Sequence, residues 1–462
     1  MEKIREINVR IVSREAVKPS IPTASHLKNL KMCYTDQMLP LVPPFLTSGL
    51  VFYTNTNDVP VDITRLKTSL SKTLTTFYPL AGRIKQSTIN CNDQGVPFIE
   101  TRVNCPLSLV INSPKIVDFV TKFLPPRDSL GSLIGCDNDE LELELELVHL
   151  AIQVNVFTCG GVAIGWYDIH KVMDGTSSAT FFKHWAALAR QQSYCYDGLT
   201  QANFDAAVTA FPPSPKAELL KLGNDYDIHD NGHGLSDSST VVKSFIFTNN
   251  SVTKLKDKAS SKQVPNPTRY QALAGFIWEQ LLLISSMHYE HNNTDTILQV
   301  TVDMRPFTNP PLPRGSIGNL INTAVARAQN STKLPQLVQE IHGVVSKMKD
   351  EINKYHDDDK PAEAVRESWD NLINTLSEYK DRAYKVVSWC KLGFNDLDFG
   401  FGKPQWMVPT DGIMSPFHKN LIILTDFKDS DGEGIEAWFF LEDKDMNILE
   451  SNPQFLAFAS PL

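Results

Sequence analysis

Apolar and polar positions along this chain repeat with two different periods. Apolar runs at 150–157 (LAIQVNVF) and 162–169 (VAIGWYDI) flank Thr158-Cys159-Gly160-Gly161. Two runs of that length around a glycine turn predict a pair of strands, the second ending at His170. The period then changes. Ala179, Phe182, Trp185, Ala186 and Ala189 recur at helical spacing, which predicts a helix over 176–192, with Thr176 or Ser177 supplying the oxygen that caps it. His170 is thereby placed at a strand end, in a tight loop before a helix, a position where rigid elements present chemistry.

The same patterning predicts further strands at 7–12, 50–54, 240–247, 298–304, 383–389, 421–425 and 434–441. Helices are predicted at 63–77, 251–260, 268–286 and 334–355, the first closed by the proline of YPLAGR at 78–83. Residues 140–150 alternate as ELELELELVHL; a half-buried strand with a solvated glutamate face explains that better than a cation site, whose ligands are irregularly spaced. The acidic stretch 356–359 is expected to be solvated, and DFKDSDGEG at 426–434 to be a hairpin turn. Between 196 and 238 the pattern dissolves into FPPSP and a long polar stretch, a connection between two comparable halves. Mixed strands and helices in both halves predict an α/β or α+β fold, with domains at 1–195 and 239–462 joined by a crossing loop at 196–238.

Composition narrows the classes. At 462 residues the chain exceeds one ordinary core, and 42% hydrophobic with 21% charged residues is the balance of a folded protein. A net charge of −9 argues against binding a nucleic-acid backbone. The seven cysteines are odd in number, widely spaced and without a CxxC, so neither a disulfide framework nor a zinc site is expected. The N-terminal segment is charged and lacks an apolar core, and no run of eighteen apolar residues occurs. Cytoplasmic location without a membrane span is the resulting expectation.

Candidate chemistry centres on HKVMDG at 170–175. An imidazole can take a proton from a hydroxyl near neutral pH, and Asp174 follows four residues on. Spacing leaves two readings open: a base with an orienting carboxylate, or a strand-end histidine beside a helix-capping aspartate. Cys159, Ser177 and Ser178 are the candidate nucleophiles of a hydrolase, but no GxSxG elbow is present. Far along the chain stands DFGFGKP at 398–404, where glycines alternate with aromatic rings.

With HKVMDG and DFGFG in this order, the sequence resembles the plant BAHD acyl-CoA-dependent acyltransferases, whose signatures are HxxxDG and DFGWG. The resemblance spans nearly the whole chain and includes Asp36-Gln37, YPLAGR, Asn203-Phe204, Phe211-Pro212-Pro213, Thr268-Arg269, Arg305 and Gly318-Asn319. The SIPTASHL opening is most like the alkaloid-acylating branch. The fold it implies is α/β, with two similar-sized chloramphenicol-acetyltransferase-like domains and the active-site channel between them. Acyl-CoA would enter one opening as co-substrate and the acceptor the other, with no permanent cofactor, no metal, and a monomeric chain.

The activity implied is acyl transfer, acetyl foremost, from acyl-CoA to a hydroxyl of a plant specialised metabolite, an alkaloid in the first instance. Phenolic, terpenoid and amine acceptors are the alternatives, and a non-catalytic receptor on the same fold is the alternative of another class. His170 would act as general base. Asp174 would be structural, turned from the channel and paired with Arg305. Asp398, Gly400 and Gly402 would hold the fold, and Trp389 would stand near the oxyanion or acceptor, or else be a core tryptophan. Lys256, Lys258, Ser260, Thr268 and Arg269 would meet CoA, although solvated lysines are the plainer account of any one of them. Three departures from the family pattern stand out: Phe401 for the usual tryptophan, Asp168-Ile169 before the histidine, and Met173 where alanine is common.

Overall fold

A computed structural model describes residues 6–39, 45–54, 60–113, 117–130, 146–190, 200–214, 240–288, 295–354, 360–410, 419–430 and 432–462. The glutamates at 140–145, the polar connection from 215 to 239 and the acidic stretch 356–359 lie outside the described residues. Two compact units divide the chain. One comprises Met1–Lys221, Pro313–Asn319 and Leu392–Met414; the other comprises Leu222–Leu312, Leu320–Lys391 and Ser415–Leu462.

The first unit is built on a six-stranded sheet. Its strands are β1 (Val9–Val17), β3 (Leu46–Tyr53), β6 (Val96–Val103), β7 (Leu150–Phe157), β8 (Val162–Ile169) and β13 (Trp406–Pro409), in the order β1-β6-β7-β8-β3-β13. Only the β6–β7 pair is parallel. A small sheet of β2 (Asn29–Lys31), β4 (Arg83–Lys85) and β5 (Thr88–Asn90) accompanies it. Strands β7 and β8 are apolar apart from Gln153, Asn155 and Asp168 because both faces are covered, and every residue of β8 is buried. Three helices matter here: α1 (Tyr34–Met38), α2 (Ile63–Thr76) and α3 (Gly175–Ala189). On α2, Leu66, Leu70 and Leu74 are fully buried, each worth about 1.5–3 kcal/mol by area. Trp185 of α3 joins the two longer helices by donating its indole N–H to Leu66 O and Ser69 Oγ, both at 3.1 Å.

The second unit carries a seven-stranded sheet. Its strands are β9 (Thr240–Phe247), β10 (Thr296–Asp303), β11 (Ile321–Ala328), β12 (Ala383–Ser388), β14 (Leu421–Asp429), β15 (Gly432–Glu442) and β16 (Ser460–Pro461), in the order β11-β10-β12-β14-β15-β9-β16. Helices α4 (Asn249–Ala259), α5 (Arg269–His288), α6 (Leu334–Lys354) and α7 (Lys360–Tyr379) belong to it. Helix α5 is apolar almost all round and accordingly buried, and two of its polar side chains, half-buried Glu279 and buried Gln280, are bonded to neighbouring segments. Glu279 accepts from Leu334 N at 3.1 Å and Gln280 from Asn452 Nδ2 at 2.9 Å. No helix among the described residues is long and apolar enough to cross a membrane.

The units differ from the expected split at 195 and 239 in one informative way. Residues 313–319 and 392–414, the latter carrying DFGFG, join the first unit rather than the second. Strand β13 completes the open β3 edge, with Trp406 opposite Phe52 and Pro409 opposite Gly49. Thr410 extends the pairing through Ser48, backbone N–H to carbonyl at 3.1 Å and hydroxyl to hydroxyl at 2.7 Å. At Gly315 the chain passes so close to Gln201 that a Cβ would stand 1.9 Å from its carbonyl oxygen. Four residues ending in proline give no periodic signal, so β13 is not legible in the sequence.

Candidate active site

His170 is presented by the end of β8. Ile169 N–H bonds His149 O at 2.8 Å and His170 N–H bonds Phe45 O at 2.7 Å, after which the ladder stops. The chain turns, and α3 begins at Gly175. His170 itself is half-buried, whereas residues 171–174 behind it are buried. The cap of α3 is Asp174, not Thr176 or Ser177 as the helical spacing predicted. Its backbone is extended (φ −87°, ψ 178°) and Oδ1 accepts from Ser177 N at 2.9 Å, satisfying one of the helix's orphan donors. The Ser177 hydroxyl is engaged elsewhere, donating to Gly318 O at 3.0 Å and accepting from Gly318 N at 3.2 Å.

Buried charge surrounds the loop. Asp168 is fully buried and receives a hydrogen bond from the Ser178 hydroxyl, tying the end of β8 to the first turn of α3 across the loop. Burial pushes its carboxyl up to about 7, against the Ser178 and Thr47 hydroxyls that pull it down, and the Asp174 carboxylate adds to the rise. Asp36 of α1 is pushed up to about 6 by burial, although it accepts from Cys33 N at 3.1 Å and Asn319 N at 2.7 Å. Lys171, 2% exposed, donates its ammonium to Gln37 O at 3.3 Å and to Leu39 O. No periodicity predicted these contacts. The one signal was a lysine within an otherwise apolar stretch beside the histidine.

A raised carboxyl fixes the sign of a pH effect. Folding favours the proton on Asp168 between its ordinary value of 3.8 and about 7. The stability this contributes is complete below the lower value and lost as pH rises through the upper one, a swing on the order of 4 kcal/mol. Asp168→Asn keeps an acceptor for Ser178 and cannot ionise. Thermal unfolding is expected to show the variant gaining on the parent from about pH 4 to about pH 7; an unchanged gap would mean that the carboxyl ionises freely. His149 works in the opposite direction. Burial and then the Arg83 cation push it down to about 3, so it resists the proton that an unfolded histidine takes up in acid.

The hydrolase nucleophiles do not assemble. Ser177 and Ser178 are buried with both hydroxyls engaged. Cys159 lies in the turn before β8, and eight residues of strand at roughly 3.3 Å each separate that turn from His170. The five cysteines among the described residues carry free thiols.

DFGFG forms a loop held by its own aspartate. Asp398 Oδ1 accepts from Gly400 N at 2.8 Å and Gly402 N at 3.0 Å, and Arg190 lies 3.6 Å from its other oxygen. Phe399 is fully buried against Tyr53 and Trp185, and Phe401 meets Tyr53 at 5.6 Å between ring centroids. Arg65 of α2 donates to Phe399 O at 3.3 Å and lies over the Phe401 ring at 5.9 Å. Phe401 thus keeps the ring contacts at this position without an indole N–H. Gly400 sits at φ +97°, and a Cβ there would come within 2.7 Å of the Arg65 guanidinium. Gly400→Ala is expected to cost about 2 kcal/mol, seen as a fall of several degrees in the melting temperature, with activity per folded molecule unchanged. Lost activity at an unchanged melting temperature would give the loop a direct part in catalysis.

The remaining candidates belong to the second unit. Arg305, 2% exposed, donates to Asp303 Oδ1 at 3.0 Å, and its carbonyl receives Leu312 N at 2.9 Å. Trp389, 7% exposed, follows β12 and donates its backbone N–H to Leu424 O at 2.8 Å. Several of the expected CoA contacts already have structural bonds. Ser260 donates to Pro265 O at 2.8 Å, and Thr268 forms a reciprocal capping pair with Gln271. Arg269 donates to Asn249 Oδ1 at 2.8 Å and to Glu433 O, and Lys258 lies over the Phe458 ring. Lys256, in the last turn of α4, is half-buried.

Comparison with known proteins agrees with this architecture. The model of the transferase family matches residues 7–456. Stemmadenine O-acetyltransferase of Catharanthus roseus is 32% identical over 96% of each chain. The limonoid 21-O-acetyltransferase of Melia azedarach is 32% identical over 98% of this chain and 99% of its own. The crystal structure of vinorine synthase superposes with a TM-score of 0.77 at 30% identity, covering 98% of this chain and 99% of that one. A full-length family match, relatives of this identity and the shared fold lead to one assignment: the chain belongs to the transferase family, as an acyl-CoA-dependent O-acyltransferase of the BAHD type.

Proposed function

We propose that this enzyme moves an acetyl group from acetyl-CoA to a hydroxyl of a plant alkaloid, with His170 as the general base. The carrying observation is the loop itself: a half-buried imidazole followed by four buried residues, three of them with assigned side-chain or backbone anchors. A ring nitrogen of His170 takes the acceptor's hydroxyl proton as its oxygen attacks the thioester carbonyl. The tetrahedral oxyanion that forms needs a donor, for which Trp389 is our candidate. Collapse breaks the carbon–sulfur bond, and the proton held by His170 is released with CoA thiolate as thiol. No covalent acyl-enzyme is required.

In the same reading Asp174 orients the loop by pairing with Arg305 as well as capping α3, and Asp398, Gly400 and Gly402 keep the fold. Lys256, Lys258, Ser260, Thr268 and Arg269 remain our candidates for CoA. The chain would act as a cytoplasmic monomer. Two relatives bear O-acetyltransferase in their names, which supports a hydroxyl acceptor and an acetyl donor. The limonoid relative favours one second reading, a terpenoid hydroxyl as acceptor.

Thiol release from a panel of acyl-CoAs, with alkaloid, terpenoid, phenolic and amine acceptors, tests the proposal. Release that depends on the acceptor, is strongest with acetyl-CoA and an alkaloid alcohol, and disappears in His170→Ala is the expected result. Strongest release with a terpenoid hydroxyl would move the acceptor to the second reading. Silence across the panel from folded protein that still binds CoA would favour a receptor.

A further inference from the structure

We infer that Lys171 is a positioning residue for acyl transfer: its ammonium, held by the last carbonyls of α1, fixes the loop that presents His170. The inference rests on the reading of His170 as the base. A lysine 2% exposed is costly unless its donors are satisfied, and here they meet Gln37 O and Leu39 O. Those carbonyls lie at the C-terminal end of α1, where the helix leaves acceptors without intrahelical partners and where a cation is favoured.

Helix α1 is itself tied down from several sides. Tyr34 N donates to Phe211 O at 2.9 Å, and Gln37 Oε1 accepts from Ser214 N at 2.9 Å. Asp36 holds Cys33 N and Asn319 N, and the Lys171 ammonium lies near enough to draw its carboxyl down against burial. The loop is therefore pinned at adjacent residues, by the His170 backbone on Phe45 O and by the Lys171 side chain on a node that joins three other segments. A buried charge of this kind adds little stability compared with a well-packed apolar side chain, so its presence beside His170 is better explained by the geometry it fixes. Displacing a base by about 1 Å costs on the order of a hundredfold in rate.

The experiment is steady-state thiol release with acyl-CoA and acceptor each varied, for the parent, Lys171→Met, Lys171→Arg and His170→Ala. Lys171→Met is expected to fold and to bind both substrates with unchanged KM while kcat falls about a hundredfold. Lys171→Arg, which can donate to the same carbonyls, is expected to recover a large part of that loss. A methionine variant with kcat within about twofold of the parent overturns the inference, as does one in which both KM values and the melting temperature move together with kcat, the mark of a structural role. Should Lys171→Met not fold, Lys171→Gln replaces it: its shorter neutral amide keeps a donor for one carbonyl but loses the charge and part of the reach, so kcat is expected to fall about tenfold at unchanged KM, and a kcat within about twofold of the parent overturns the inference. Activity retained in His170→Ala would instead overturn the reading of the base, an outcome separate from either result at Lys171.

Discussion

His170→Ala is expected to lower kcat for acyl transfer by about two to four powers of ten and to leave the protein folded. The first half follows from the proposed role of His170, the removal of the acceptor's proton while its oxygen attacks. The second half follows from how the residue is held. One contact that anchors position 170 is its backbone N–H on Phe45 O, which alanine retains. The bonds from Lys171 to Gln37 O and from Ser177 N to Asp174 do not involve the imidazole. With a half-buried side chain and no role in the helix cap, the substitution should move stability by about 1 kcal/mol or less. KM for acyl-CoA is expected to stay the same, because a proton acceptor acts in the transition state. Calorimetry and acceptor-dependent thiol release on the same preparation check both halves. A variant that keeps most of its kcat would remove His170 from the mechanism, and one that loses its fold would make the residue structural.

Much of this arrangement is legible in the sequence. The runs at 150–157 and 162–169 and the helix after them form β7, β8 and α3, with His170 at the junction. Those segments carry their own period and are buried on every side, so local pattern and tertiary environment agree. What escaped is what only tertiary contact creates. Strand β6 mixes polar and apolar positions and carries Pro97, at a position where only β1 is paired because the β7 ladder begins at Phe98. Helix α7 buries Val365, Leu372 and Tyr379 on one face, but its many charges gave no continuous apolar signal. The membership of 392–414 in the first unit depends on a four-residue strand. At the site the motif located the histidine, and the capping aspartate was one of two readings its spacing allowed. Lys171 on α1, and Asp168 reaching across the loop to Ser178, are long-range bonds with no sequence period to announce them.

Asp174→Asn is expected to have the second largest effect, loss of ordered soluble protein together with activity, and the choice of asparagine makes the result interpretable. Asparagine is as good a cap as aspartate, so the bond to Ser177 N and the start of α3 are preserved. What disappears is one buried negative charge. At the N-terminus of α3 that charge is worth about 0.3–1 kcal/mol through the helix dipole, and up to about 2 when buried. Its loss also relieves Asp168 of a repelling neighbour, a small gain. These terms together do not unfold a protein. A loss of about 3–5 kcal/mol requires that a buried cation lose a buried carboxylate, and Arg305, 2% exposed and bonded besides to the part-exposed Asp303 carboxylate, is the cation our reading assigns. Asp174→Ala supplies the contrast, since it removes the cap as well, at about 1 kcal/mol more. Denaturant midpoints for the two variants and for Arg305→Met, measured at neutral pH, separate the cases. Comparable large losses in Asp174→Asn and Arg305→Met, with no further loss in the double variant, establish the pair. An asparagine variant within about 1 kcal/mol of the parent that is folded but shows a displaced pH–rate profile would return Asp174 to the side of the imidazole, as an orienting carboxylate.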